Sequence, residues 1–175
     1  MSRLYVRSEA VRRSIVLLCL CVCFLPLAYR EEQVGPILAP LTALTVRTTL
    51  ILIHWIGMEA VQQANLIMHP GGFSYEIYYQ CTGFLPAAFL TLSILCYPGH
   101  LRLKLLGVVI GLPIMFFLNL VRLVHLYYIG VHSPGFFGVA HNVLWEGFLI
   151  AATLGIWMGW MTWSDRRVIG RLQHY

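Results

Sequence analysis

The sequence predicts an all-α polytopic membrane protein with four transmembrane helices, an amphipathic or re-entrant helix on the outer face and a small outer hairpin. Two observations support this class. Hydrophobic residues make up 59% of the 175-residue chain and charged residues only 11%, whereas about a quarter of the residues in a soluble domain are charged. The apolar residues are also grouped in runs close to the length that a helix needs to cross a bilayer. We therefore expect a single integral membrane domain over residues 1–175.

The first predicted span covers about residues 14–29. Basic residues precede this apolar run, as they do in a secretory signal peptide, but no small-x-small cleavage pattern stands before Arg30. We expect the segment to be retained as an uncleaved signal anchor.

Three further spans are predicted at about residues 82–97, 105–129 and 141–163. Nine of the twelve Lys and Arg residues lie in the N-terminal tail, in the link at 102–104 and in the C-terminal tail. Because positive residues accumulate on the cytoplasmic side of a membrane, all three segments are expected there. Both termini would then be cytoplasmic, and the site described below would face outward.

An outer cap is expected over about residues 30–80. The run at 37–58 is apolar but is interrupted by threonines, Arg47 and His54, and a single crossing there would reverse the charge bias of the second half. We expect this run to lie along the outer surface. Segments 65–68 and 73–79 flank His-Pro-Gly-Gly, which predicts two short strands joined by a turn.

The charged residues and cysteines exclude several classes of partner. The net charge is +5, but the basic residues are scattered between apolar runs, so the expected partner is the lipid bilayer rather than a nucleic acid. The five cysteines form no Cys-x-x-Cys pair, and we expect neither a metal site nor a cofactor. Cys81 alone stands at a polar boundary.

Cys81, Arg122 and His141 are the candidate catalytic residues, because each lies near the outer end of an apolar run. A thiolate is a nucleophile, and a helix start with a nearby cation favours it. An imidazole exchanges protons near neutral pH. A guanidinium has permanent charge and suits an oxygen on which negative charge develops. Such groups are costly to hold at a bilayer edge, so their coincidence predicts a shared site.

Further polar and small residues are expected to bind substrate or to support this trio. Asn119 and His125 share a helix with Arg122 and are placed to orient the guanidinium or to contact the substrate backbone. The remaining candidates are Thr82, Gly83 and Glu146. Two simpler interpretations stay open: a cysteine at a helix start is often structural, and Arg122 would also serve to neutralise Glu146.

Three sequence blocks, in this order and in a membrane setting, resemble the exosortase/archaeosortase family. They are Tyr-Gln-Cys-Thr-Gly at 79–83, Asn-Leu-Val-Arg at 119–122 and Ala-His-Asn at 140–142. The likeness covers about residues 61–163, and the short form is most similar to exosortase H. Two features depart from the family pattern: Thr82 stands where Ser is common, and the extra N-terminal spans of longer members are missing.

The resemblance implies a membrane-embedded cysteine transpeptidase or protease of the bacterial cytoplasmic (inner) membrane, with its active site toward the periplasm. Its substrates would be exported proteins whose C-terminal sorting signal, of the PEP-CTERM type, has a short motif, an apolar helix and a basic tail. The catalytic trio of the family maps onto Cys81, Arg122 and His141, and the implied mechanism proceeds through a thioester acyl-enzyme.

Two other functions remain as alternatives from the residues alone. One is haem binding, for which His125 and His141 are the most plausible axial pair among the histidines. The other is a transporter or scaffold in which Arg122 and Glu146 form a buried switch and Cys81 is structural.

Overall fold

The structure, a computed structural model, describes the backbone of residues 31–172 and the side chains of residues 33–167. The span expected at 14–29 lies outside the described residues. The regular elements, in chain order, are helix α1 Glu31–Trp55, strands β1 Val61–Gln63, β2 Leu66–Met68 and β3 Ser74–Glu76, a 3-10 turn Tyr79–Thr82, helices α2 Phe84–Cys96 and α3 Leu101–His132, a π-helical turn Ala140–Trp145, and helix α4 Glu146–Leu172.

Within the described residues, three stretches are long and apolar enough to cross a membrane: Gln33–Trp55, Leu101–His132 and Pro134–Arg167. Helix α2, where a span was expected at 82–97, has only 13 residues. At a rise of 1.5 Å per residue it is about 20 Å long, less than the roughly 30 Å of a hydrocarbon core. The chain is a multi-pass, mostly helical membrane protein, but the expected count of four spans is not confirmed.

Helix α1 differs from the surface helix that we expected over 37–58. It is one of the three stretches long and apolar enough to cross, and its buried side chains, including Val46 and Ile53, pack in a common core with α3. The threonines that interrupt the run do not prevent this packing. The hydroxyls of Thr42 and Thr45 donate to carbonyl oxygens one turn back, at 3.1 and 2.8 Å, so the helix satisfies them itself.

The end of α1 is fixed by its sequence. Gly57 takes a φ of 79°, and its N–H donates to the carbonyl of His54 while that of Met58 donates to Ile53. This pair of bonds is the Schellman motif, in which a glycine in the left-handed region terminates a helix. The chain then enters a three-stranded sheet.

The sheet is antiparallel with strand order β1-β2-β3. The expected hairpin is present as β2 and β3, joined through a turn in which Gly72 has a φ of 98°. Strand β1, which was not predicted from the sequence, pairs with β2 across a two-residue turn at Ala64 and Asn65. Ile67 and Ile77 are fully buried, and they join the sheet to the core between α1 and α3.

The contacts of α3 show how far along this helix the sheet packs. At its N-terminal end, Trp160 of α4 donates to the carbonyl of Leu103 at 3.0 Å. From Leu103 to Arg122 the helix rises about 29 Å, close to the thickness of a hydrocarbon core. The sheet packs beside the part of α3 that follows, where the Tyr75 hydroxyl donates to the carbonyl of Leu123. Arg122 therefore lies next to the part of α3 on which the sheet packs, about one hydrocarbon thickness along the helix from Leu103.

Candidate active site

Cys81 is held by the 3-10 turn that connects the sheet to α2. The Cys81 N–H donates to the carbonyl of Tyr78 at 2.9 Å, and the hydroxyl of the buried Thr82 donates to the carbonyl of Tyr79 at 2.6 Å. The hydroxyl of Thr82, a residue we expected near the substrate, thus serves to hold the turn. Gly83 ends the turn with a φ of 76°, a conformation that residues with a Cβ adopt only at a cost.

Asn119 of α3 connects this turn to the guanidinium. It is fully buried, and its Nδ2 donates to the carbonyl oxygen of Cys81 at 2.9 Å. Its Oδ1 accepts from Nη1 of Arg122 at 3.4 Å. A Cβ on Gly83 would lie 3.0 Å from the Asn119 side chain, so the close approach of turn and helix also requires glycine there. One amide thereby sets the position of two of the three predicted catalytic residues.

Arg122 is only 5% exposed, although its guanidinium carries a permanent charge. Nη1 bonds Asn119, and Nη2 lies 3.2 Å from Nε2 of His141. Nε is buried with no hydrogen-bond partner. Among residues 33–167 no carboxylate forms an ion pair with it, and Glu146, the partner left open by the sequence, is exposed. A buried cation without a counter-ion favours an incoming group that carries or develops negative charge.

His141 lies in the π-helical turn at the start of the last helical stretch. Since a guanidinium can only donate, Nε2 of His141 is the acceptor in its contact with Arg122, and the ring proton resides on Nδ1. Nδ1 then donates to Oδ1 of Asn142 at 2.8 Å. The ring of Phe137 stacks on the imidazole, with centroids 5.9 Å apart. These contacts fix both the tautomer and the orientation of the ring.

The thiol of Cys81 lies close enough to the side chain of His141 for the imidazole to influence its pKa, so all three predicted catalytic residues meet. Burial by itself would raise the pKa of the Cys81 thiol. The interaction with His141 and the charge of Arg122 outweigh burial, and the pKa lies below its ordinary value. The site therefore favours a thiolate.

Two of the expected supporting residues lie apart from this cluster. His125 is exposed, and its Nδ1 accepts from the indole N–H of Trp145 at 3.0 Å. Glu146 is exposed on α4. The haem alternative required His125 and His141 as a facing pair, but both ring nitrogens of His141 already contact protein groups.

An aromatic cluster beside the site was not foreseen from the sequence. Tyr75 of β3 lies with its ring centroid 6.1 Å from that of Tyr127 and 6.3 Å from that of Phe137. Burial raises the pKa of Tyr75, and its hydroxyl donates to the carbonyl of Leu123. The convergence of these aromatic residues depends on the packing of β3 against α3, which no local pattern gives.

The fold and the site together define a multi-pass membrane protein in which a thiol, an imidazole and a guanidinium meet at one end of the spanning helices. The family model described as "Transmembrane exosortase (Exosortase_EpsH)" matches residues 4–165. The chain therefore belongs to the transmembrane exosortase family. The match extends further toward the N-terminus than the resemblance at 61–163. No curated protein and no solved structure matches the chain significantly.

Membership in this family places the protein, in general terms, among membrane cysteine transpeptidases that act on sorting signals of exported proteins. The closer similarity to exosortase H remains a prediction.

Proposed function

We propose that the protein cleaves C-terminal sorting signals of exported proteins by thiol chemistry, with Cys81 as nucleophile, His141 as proton carrier and Arg122 as oxyanion donor. One observation carries the proposal: His141 contacts both the Cys81 thiol and the Arg122 guanidinium. A structural cysteine has no need of either neighbour, whereas acyl transfer needs both.

The first step transfers the thiol proton of Cys81 to Nε2 of His141, the ring nitrogen that carries the lone pair. Nδ1 keeps its own proton through the bond to Asn142, so the ring becomes an imidazolium. Nε2 can then no longer accept from Nη2 of Arg122. The same proton transfer thus produces the nucleophile and releases a donor of the guanidinium for the substrate.

The thiolate attacks the scissile carbonyl, and a carbon–sulfur bond forms while the negative charge moves to the carbonyl oxygen. The released Nη2 and the unpartnered Nε of Arg122 are the donors for that oxygen. Collapse of the intermediate breaks the peptide bond, and the departing amine takes the proton from His141. The product is a thioester on Cys81, which an amine or a water molecule then cleaves.

The proposed substrate is an exported protein with a C-terminal apolar helix and a basic tail. Arg122 lies about one hydrocarbon thickness from Leu103, so the scissile bond would lie just outside the membrane-embedded part of the signal. The proposed location is the bacterial inner membrane, with the site toward the periplasm and both termini in the cytoplasm.

The test co-expresses the protein with a secreted reporter domain fused to such a C-terminal signal, taken from an exported protein of the same genome. We expect the reporter to lose its signal with the wild-type chain and to keep it with Cys81→Ala. The Cys81→Ala variant must insert in the membrane at the wild-type level. Removal of the signal at the wild-type rate by a correctly inserted Cys81→Ala protein would eliminate Cys81 as the nucleophile.

The thioester provides a second readout. Hydroxylamine cleaves thioesters but leaves amides intact. If the thioester accumulates because its cleavage is slowed, added hydroxylamine should release the reporter from the enzyme as a hydroxamate. The expected adduct is a covalent enzyme–reporter species that is absent with Cys81→Ala. Turnover without any thiol-dependent adduct would favour direct hydrolysis over acyl transfer.

A further inference from the structure

Strand β3 is an edge of the sheet. The strand order places β2 in the centre, and within residues 31–172 no strand pairs with the far side of β3. Edge strands in soluble sheets are usually protected by a proline, a lysine or a bulge, because their free backbone groups bind other strands. The sequence of β3, Ser-Tyr-Glu, contains no proline, lysine or bulge, and its protection is limited to its short length and the charge of Glu76.

The register shows which backbone groups of β3 are free. The N–H of Ile77 donates to the carbonyl of Asn65 at 2.9 Å, so these residues form a hydrogen-bonded pair. Such pairs alternate along an antiparallel ladder, which makes Tyr75 the next residue bonded to β2. The N–H and C=O groups of Ser74 and Glu76 therefore point away from β2. Both residues are exposed.

The direction of β3 relates this edge to the nucleophile. The ring of Phe73 packs on Gly130 near the end of α3, and the hydroxyl of Tyr75 bonds the carbonyl of Leu123, seven residues earlier in that helix. The strand thus runs along α3 from the end of the helix toward the spanning part. Five residues after β3 the chain reaches Cys81.

We propose that the free edge of β3 binds the extended segment of the substrate that precedes the scissile bond, as an added strand parallel to β3. This inference rests on the proposed function. A substrate chain that runs from the exported domain toward its apolar helix has the same direction as β3, which makes the pairing parallel. Ser74 and Glu76 offer four backbone groups to it, so binding depends on the substrate backbone and tolerates many side chains.

Disulfide trapping tests the pairing directly. The enzyme carries Cys81→Ala, Glu76→Cys and alanine at its four other cysteines, and the reporter carries single cysteines at ten successive positions before its apolar helix. A strand beside β3 should give cross-links that alternate with a period of two residues, because successive side chains point to opposite faces. The matched control is Gln62→Cys on β1, at the opposite edge of the sheet. Cross-linking without a period of two, or equally strong at the control position, would overturn the pairing.

Proline substitution tests its contribution to processing. Ser74→Pro and Glu76→Pro each remove one outward N–H and leave the bonds to β2 intact, whereas Gln62→Pro removes the corresponding outward N–H of β1. We expect each β3 variant to process the reporter about tenfold more slowly, equivalent to about 1.4 kcal/mol for one lost hydrogen bond, and the β1 control to stay within about twofold of the wild type.

The outcomes separate this inference from the proposed function. If the β3 variants and the control all process normally while Cys81→Ala does not, the edge inference fails and the proposed function stands. If Cys81→Ala still processes the reporter, the proposed function itself fails. If a β3 proline variant does not accumulate in the membrane, the hydrogen bonds are removed from the substrate side instead. The wild-type enzyme is then given a series of reporters, prepared by ligation, each with one N-methylated backbone amide. Processing should be slowed when the methyl group is at every second residue before the scissile bond. An equal processing rate for all methylated positions would overturn the pairing.

Discussion

Replacing Arg122 with glutamine should raise the pKa of the Cys81 thiol, because the charge of the guanidinium stabilises the thiolate. Both groups lie beside the imidazole of His141, and two groups that each hydrogen-bond one ring are roughly 6 to 8 Å apart. At an effective dielectric constant of 20, a unit positive charge at that distance stabilises a thiolate by about 2 to 3 kcal/mol. One pKa unit corresponds to 1.36 kcal/mol, and removal of the positive charge disfavours the anion, so the pKa must rise.

The measurement is the rate at which iodoacetamide alkylates Cys81 as a function of pH, followed by mass spectrometry in a chain whose other cysteines are alanine. Arg122→Lys is the matched control, because it keeps the charge but loses the planar set of donors. We expect its alkylation midpoint to stay closer to that of the wild type, although reporter processing falls in both variants. An Arg122→Gln protein that is folded and inserted, with an unchanged midpoint, would refute the electrostatic role of the guanidinium.

Three further substitutions test the local geometry. Gly83→Ala should lower the free energy of unfolding by about 1–2 kcal/mol because of the positive φ, and by more because the added methyl group contacts Asn119. The control is Gly135→Ala, where a methyl group meets no atom within 4 Å. The melting temperature in detergent should fall for Gly83→Ala and change little for the control. Asn119→Asp keeps an acceptor for the guanidinium, but it loses the donor to the carbonyl of Cys81 and adds a negative charge. The rate of reporter processing should fall about 10- to 100-fold. A wild-type rate would contradict the positioning role of Asn119. Gly130→Ala places a methyl group on the ring of Phe73, so stability should fall by about 1–3 kcal/mol, as a thermal melt will show.

The surface position that the charge bias predicts for the run at 37–58 is not confirmed, because α1 is also long and apolar enough to cross a membrane. Threonine, Arg47 and His54 lower the hydropathy of the run at 37–58, and a sliding average cannot register that threonine hydroxyls bond within their own helix. The run is apolar enough to cross, with a mean hydropathy of 1.7 in its best window. Packing against α3 and the sheet, rather than composition, accounts for its buried residues.

The hairpin was predicted with the correct two strands because turn residues and alternation are local signals. The third strand, β1, was missed because three residues of mixed polarity carry little periodic information. The free edge of β3, on which the substrate-binding inference depends, follows from the strand order β1-β2-β3, in which β3 stands at one end of the sheet.

The sequence alone determined the membrane class, through its apolar runs, and nominated Cys81, Arg122 and His141, because polar groups at a bilayer edge are too costly to be common. Only the tertiary structure decided how they meet. Asn119 bonds both the turn of the nucleophile and the guanidinium, and Asn142 fixes the imidazole tautomer. Such contacts join residues distant in sequence or depend on the local shape of a π-helical turn. The sequence could not predict them, because hydrophobic periodicity indicates which side of a helix is buried but not which residues that side contacts.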